Sequence, residues 1–367
     1  MRALALPQFQ LSGPTLAEAF SAGRAGANNF DAIRLFAALM VLYAHAWLLS
    51  VDGNPTDFIS HFTHDQTGMG DLGIGIFFVL SGFLIAQSWR RRPDLADFTR
   101  NRVLRIMPAL TAVVVASVFL IGPLVTTATQ AAYWSSGETW AYLLNIVFAY
   151  PIDTLPGVFE NAAYRPVVNG PLWTLHFEAL CYISVAALGA LKLLNLRGCL
   201  IVHVVLLALL VAVSPTIDND VEDYIRQVAT MGGWFYGGVL FAVLDEETRL
   251  DWRVAALAAV ALLIAGRTGG FDQLWTFAGA YLVLFIGFAA LGAVRRVGEV
   301  GDVSYGVYIW SCPIQQVLAT QFFPASPWVT VAISTPLSIA VAYASWRLIE
   351  KPALKLKTRS LASERIA

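Results

Sequence analysis

FDAIRLFAALMVLYAHAWLL, residues 30–49, decides the fold. Twenty residues rising 1.5 Å each span about 30 Å as a helix, the thickness of a bilayer's hydrocarbon core. The stretch is apolar apart from Asp31, Arg34, Tyr43 and His45. Ionisable groups at such depth cost roughly 2.5–3.5 kcal/mol each on insertion scales, so they point to function. Arg34 and His45 are eleven residues apart, close to three whole turns, which puts both on one helix face about 16 Å apart along the axis. Two readings compete. Arg34 snorkels to the interface while His45 bonds a neighbouring helix, or Arg34 is a cation on the donor side of a reaction and His45 a general base deeper in. Histidine suits the second role because its pKa lies near neutrality.

Working outward, the same pattern recurs. Apolar segments near 31–51, 72–89, 103–125, 172–194, 199–214, 228–244, 252–266, 274–294, 303–322 and 328–349 are candidate spans, so the expected fold is an all-α, polytopic membrane helix bundle of about ten transmembrane helices. Composition agrees: 57% of the 367 residues are hydrophobic and 13% charged, against about 25% charged in a soluble domain. That excludes an ordinary soluble enzyme. The net charge of −1 gives no reason to expect nucleic acid. Cys181, Cys199 and Cys312 have neither metal-site nor disulfide-framework spacing, and no metal is expected. The polar start of the chain lacks the basic and apolar regions of a cleavable leader.

Lys and Arg set the expected orientation. With the N-terminus cytoplasmic, 21 of the 24 basic residues fall on cytoplasmic segments, and only Arg165, Arg226 and Arg267 fall on the other side. Both termini are therefore expected in the cytoplasm, with tails at 1–27 and 356–367 flanking a domain at 28–355. The outer segment 52–71 carries His61, His64 and four Asp, and the long segment 126–171 carries Trp134, Trp140 and an apolar run from Tyr142 to Tyr150. That run lies along the membrane surface or covers a cavity.

Four further groups carry candidate chemistry. Glu178, in GPLWTLHFEALCY, lies as far from the outer edge as His45 does, so it is expected to orient the imidazole. The alternative is a structural ion pair. His176, two residues away, points to another face. In FTRNRVLRIMP, Arg102 and Arg105 share a face at i, i+3 and suit phosphates, although any arginine here also anchors a span. VGDVSYGVYIWSCPI offers Ser304, Tyr305 and Tyr308, and Pro313 should kink the helix and free a backbone carbonyl. Arg347 and Glu350 in SWRLIEKP are expected to pair at i, i+3. In GIGIFFVLSGFLI, Gly73, Gly75, Ser81 and Gly82 read as close helix packing rather than a catalytic serine. No nucleophile elbow or Walker motif is present, against a serine hydrolase or an NTPase.

In order along residues 28–352, the Arg34–His45 pair, FFVLSGFL, Arg102–Arg105, WTLHFEALCY, SYGVYIW and IEKP together resemble the acyltransferase-3 family of membrane O-acyltransferases. The resemblance implies a bacterial inner-membrane protein that takes an acyl group, acetyl by default, from cytoplasmic acyl-CoA. The acceptor it implies is a hydroxyl of an exopolysaccharide, O-antigen or lipid-linked saccharide. It implies His45 as catalytic base, Arg34 and Glu178 as catalytic partners, and Arg102, Arg105, Ser304, Tyr305 and Tyr308 around the donor. Membrane lipids surround such a protein, and self-association is left open, as is a covalent acyl-histidine. Ser311 stands where relatives often carry His, and acceptor handling is expected from the bundle and its loops. A transporter or a non-catalytic part of a polysaccharide export system is the competing reading. The transporter predicts two related halves, and no internal repeat is found.

Overall fold

The computed structural model describes residues 11–23, 28–49, 57–147, 152–162, 166–212, 220–289, 301–322 and 326–356. Arg2, Arg24, Asp52, Tyr150, Arg165, Arg295, Arg296, Lys357, Arg359 and Arg365, used above, lie outside the described residues. The described residues are helical, with no strand among them. The long helices are α1 (Phe30–Leu48), α2 (Met69–Arg91), α3 (Leu95–Val125), α4 (Gly170–Ala190), α5 (Leu196–Ala212), α6 (Asp220–Val243), α7 (Trp252–Thr268), α8 (Phe271–Phe288), α9 (Ser304–Val317) and α10 (Pro327–Leu356). Each falls on one of the expected segments. Six of them, α1, α2, α3, α4, α8 and α10, are long and apolar enough to cross a membrane.

Small residues set the core, as membrane packing requires in the absence of a hydrophobic force between helices. A Cβ on Gly82 would lie 1.9 Å from the Phe235 carbonyl oxygen, and one on Gly238 would lie 2.1 Å from that of Val79. The α2 and α6 backbones thus touch directly. Gly73 meets the Ala37 carbonyl in the same way, seating α1 on α2. Large apolar side chains, including Leu196, Ile201, Val211, Leu257 and Leu263, remain exposed on the outside of the bundle.

Ion pairs mark one end. Arg90 at the end of α2 pairs with Asp245 beyond α6 at 3.0 Å, and Asp251 before α7 binds Arg253 at 2.7 Å. The same end receives the N-terminal segment. Helix Leu16–Gly23 buries Leu16 and sets Phe20 edge-on to Phe83. Its start is pinned by Ser12 N–H donating to Asp251 at 2.7 Å and Leu16 N–H donating to the Thr248 carbonyl at 2.8 Å. The tail therefore docks on the bundle from residue 12 onward. At the opposite end, Gln66 donates to the carbonyls of Ala265 and Gly266, and Arg267 to that of Phe62. The run after Tyr142 opens as a 3-10 turn, Tyr142–Val147, whose Tyr142 is buried.

Two backbone details shape the interior. Proline lacks an N–H, so Pro313 leaves the carbonyl of Ile309, four residues earlier, without its helical donor. The buried Asn169 side chain donates to that carbonyl at 2.9 Å. The proline's freed group thus ties α9 to the residue that precedes α4. The second detail concerns Arg347 and Glu350. Residues Trp346–Glu350 form a π turn, in which i, i+3 neighbours no longer face each other. Arg347 donates instead to Tyr343 at 2.8 Å, and Glu350 accepts from Ser345 at 3.1 Å. The expected Arg347–Glu350 pair is not formed.

Candidate active site

Two cavities lie along α1, one at each polar residue. Arg34 lines the first, of about 130 Å³, with Ser81, Arg102, Arg105, Thr174, Glu178, Tyr182, Ser304, Tyr305 and Tyr308, among apolar Ile74, Phe77, Phe78 and Leu175. His45 lines the second, of about 500 Å³, with Asp153, Gly170, Trp173, His176, Asp220, Asp223, Tyr224, Cys312 and Gln316. Seven of the eight residues singled out in the sequence converge on the Arg34 cavity, and His45 stands apart in the other.

The Arg34 cavity is organised around Asp302, which closes the connection into α9. Arg34 lies 3.5 Å from its carboxylate and 3.2 Å from Asp31. Arg105 also binds Asp302, and Ser304 donates to it at 2.5 Å. Burial opposes the Asp302 charge, yet Arg105 and Arg34 outweigh it and lower the carboxyl to about 2. Asp302 stands two residues before Ser304 in the VGDVSYG run. Two half-buried arginines brought together on one cavity need a counter-charge, and Asp302 is the carboxylate nearest to Ser304 in the motif.

Arg102 differs from its partner in the sequence motif. Among the described residues it makes no ion pair, and its Nε has no hydrogen-bond partner. Its guanidinium lies 5.9 Å from the Phe98 ring centre. The Arg102–Arg105 fork expected from their spacing therefore divides in two. Arg105 is committed to Asp302, and Arg102 is left to face the cavity.

Glu178 accepts from Ser81 at 3.2 Å and from Tyr182 one turn further along α4. The sequence expectation that Glu178 orients His45 does not describe the bonds made. Position along a helix axis does not fix rotation about it. Thr174, Glu178 and Tyr182, at i, i+4 and i+8, form one face of α4 and line the Arg34 cavity. Trp173, His176 and Phe177 face the His45 cavity. His176, set aside in the sequence, thus shares the cavity of His45 and bonds Tyr224 at 2.8 Å. Ser81, read as a packing residue, reaches Glu178, while Gly82 beside it does the packing.

His45 is held by its own helix. Its Nδ1 lies 2.8 Å from the Val41 carbonyl, one turn earlier. A carbonyl oxygen only accepts, so Nδ1 carries the proton and Nε2 of the neutral ring has its lone pair free. Nε2 is directed towards Gly170, where a Cβ would lie 3.6 Å away. A backbone carbonyl therefore supplies the tautomer control that a carboxylate supplies elsewhere. Such a nitrogen can accept a proton from a hydroxyl in the larger cavity. Among the described residues, no three His, Cys, Asp or Glu side chains converge as a metal site.

Residues 28–347 match a family model described as an acyltransferase domain. The chain is 29% identical to nodulation protein 10 of Rhizobium leguminosarum bv. viciae over 93% of this chain and 96% of that one. It is 27% identical to the O-acetyl transferase of Shigella phage Sf6 over 88% and 95% of the two chains. With the exopolysaccharide production protein ExoZ of Rhizobium meliloti (strain 1021) the identity is 28% over 80% and 91%. No solved structure matches.

Proposed function

The chain belongs to the acyltransferase-3 family and is an O-acyltransferase, and from that premise we propose that it carries an acyl group between the two cavities, from acyl-CoA in one to a glycan hydroxyl in the other. The donor enters at the Arg34 end, which the basic residues mark as cytoplasmic in a bacterial inner membrane. Arg102, which makes no ion pair among the described residues and leaves its Nε without a hydrogen-bond partner, takes a donor phosphate. Arg34, Arg105 and Asp302 hold the mouth in shape, and Ser304, Tyr305 and Tyr308 line the path of the pantetheine arm. The apolar wall of Ile74, Phe77, Phe78 and Leu175 receives the acyl end of the thioester.

The acceptor occupies the larger cavity from the other side. Trp173 and Tyr224 offer flat apolar faces, and Asp220, Asp223 and Gln227 accept from sugar hydroxyls. The relatives named for O-acetyl transfer and exopolysaccharide production support a glycan and an acetyl group. His45 Nε2 takes the proton of one hydroxyl, whose oxygen attacks the thioester carbonyl carbon. The C–S bond breaks, and the CoA thiolate leaves by the route it entered, with the proton passing to it from the imidazolium.

One observation carries this reading. The only nitrogen of His45 able to act as base opens into the larger cavity, while its helix delivers Arg34 to the smaller one. Mass spectrometry of cell glycans from wild-type, deletion and His45→Ala strains tests it. Acylation is expected in the first alone. Glycans still acylated in the point mutant would remove His45 from the chemistry.

A further inference from the structure

A narrow wall divides the cavities. On α4, Gly170 lines the His45 cavity and Thr174 the Arg34 cavity. On α9, Cys312 lines the first and Tyr308 the second. Both steps are four residues, about 6 Å of helix. Across this gap Tyr308 OH bonds Thr174 Oγ1 at 2.7 Å, and both hydroxyls reach the Pro171 carbonyl, at 3.2 Å and 3.1 Å. One layer nearer His45, the Gly170 N–H donates to Cys312 Sγ at 3.3 Å. Phe77 closes the side of Tyr308 edge-on, at 5.5 Å between ring centres. Tyr308, Thr174, Pro171 and Cys312 are all buried.

We infer that the Tyr308–Thr174 pair is a partition that, while no acceptor is seated, keeps water in the acceptor cavity away from the donor thioester. It parts only when a seated sugar hydroxyl takes the place of that water. The inference rests on the acyl-transfer reading. The His45 cavity is polar and reaches exposed Asp220 and Tyr224, so water enters it freely. A base able to activate a sugar hydroxyl also activates water. Unchecked, a water oxygen would bond the thioester carbonyl carbon and the C–S bond would break. Free carboxylic acid and CoA thiol would result, with the water proton passing through His45 to sulfur. Water exclusion is the general remedy for this side reaction. The wall suits it because its two hydroxyls spend their protons on each other and on one buried carbonyl, leaving neither free to donate to a water. Tyr308 and Thr174 are positioning residues here, acting on access to the reacting carbon.

The test uses purified full-length protein in detergent with acetyl-CoA, following CoA thiol release with and without an acceptor glycan. Tyr308→Ala removes the wall, and Thr174→Val removes only its hydroxyl bond. Wild type should release thiol only with acceptor. Both variants should release it without acceptor, at a rate raised about tenfold or more, and less of the thiol released with acceptor should appear as acylated glycan. A thioether analogue of acetyl-CoA reports donor binding. Acceptor-free release no faster than that of wild type, in two folded variants that bind the analogue, would overturn the partition. So would loss of analogue binding in both, since the pair would then belong to the donor site. Wild type that consumes no acetyl-CoA with any acceptor would instead strike the acyl-transfer reading itself.

Discussion

Replacing Asn169 by Ala should cost about 1–2 kcal/mol of stability, and most of that cost should vanish when Pro313 is also replaced by Ala. The argument starts from one bond. Asn169 donates at 2.9 Å to the Ile309 carbonyl, which Pro313 deprives of its helical donor. Asn169 is only 2% exposed, so no water substitutes for it. A buried carbonyl left bare costs about 1–3 kcal/mol, and hydrogen bonds within membrane bundles average about 0.6 kcal/mol with a maximum near 1.7. Alanine at 313 restores an N–H within reach of Ile309. Its carbonyl has two lone pairs, so the new donor and Asn169 coexist. Removing Asn169 then strands nothing, while the space lost with its side chain is the same in both backgrounds. The coupling energy should therefore be about 1 kcal/mol. Unfolding in mixed micelles of non-ionic detergent and SDS, followed by tryptophan fluorescence, gives the four corners of the cycle. Distant sites add within about 0.3–0.5 kcal/mol, so an Asn169→Ala cost equal within that margin in both backgrounds would refute the reasoning. Acyl transfer should follow stability, because Asn169 precedes Gly170 beside His45.

Three other outcomes follow from the same geometry. Arg102→Ala should raise the KM for acetyl-CoA about tenfold or more, as loss of a charge-assisted hydrogen bond worth about 1.5–3 kcal/mol would, with little change in unfolding midpoint. Asp302→Ala should instead lower stability by about 3 kcal/mol, because Arg105 loses its partner and Arg34 keeps only Asp31; a wild-type midpoint in SDS titration would contradict the cluster. Gly82→Ala should destabilise by about 1–3 kcal/mol or more, since its methyl meets the Phe235 carbonyl at 1.9 Å, and a neutral result in the same titration would mean that α2 and α6 are not in backbone contact.

The sequence by itself determined the helices and the spacing along each of them. Twenty apolar residues cannot satisfy their backbone in lipid except as a helix, so the segments could be drawn before any packing was known. Arg34 and His45 belong to one rigid α1, and their axial separation follows from the helix rise alone. The motifs that carry Arg34, Arg102, Arg105, Ser304, Tyr305 and Tyr308 likewise pointed to one donor-side group, whereas Glu178 was expected beside His45 and joins that group instead. Only the tertiary structure decided the partners. Each residue along a helix turns by about 100°, so the face that meets a neighbour depends on rotation, which packing sets. That rotation gives Glu178 to Ser81 and Tyr182, leaves His45 to the Val41 carbonyl, and brings His176 into the His45 cavity. Asp302 joins Arg34 to Arg105 across 268 and 197 residues of chain, a distance no local pattern spans. The wall at Tyr308 and Thr174 exists only because α4 and α9 cross there.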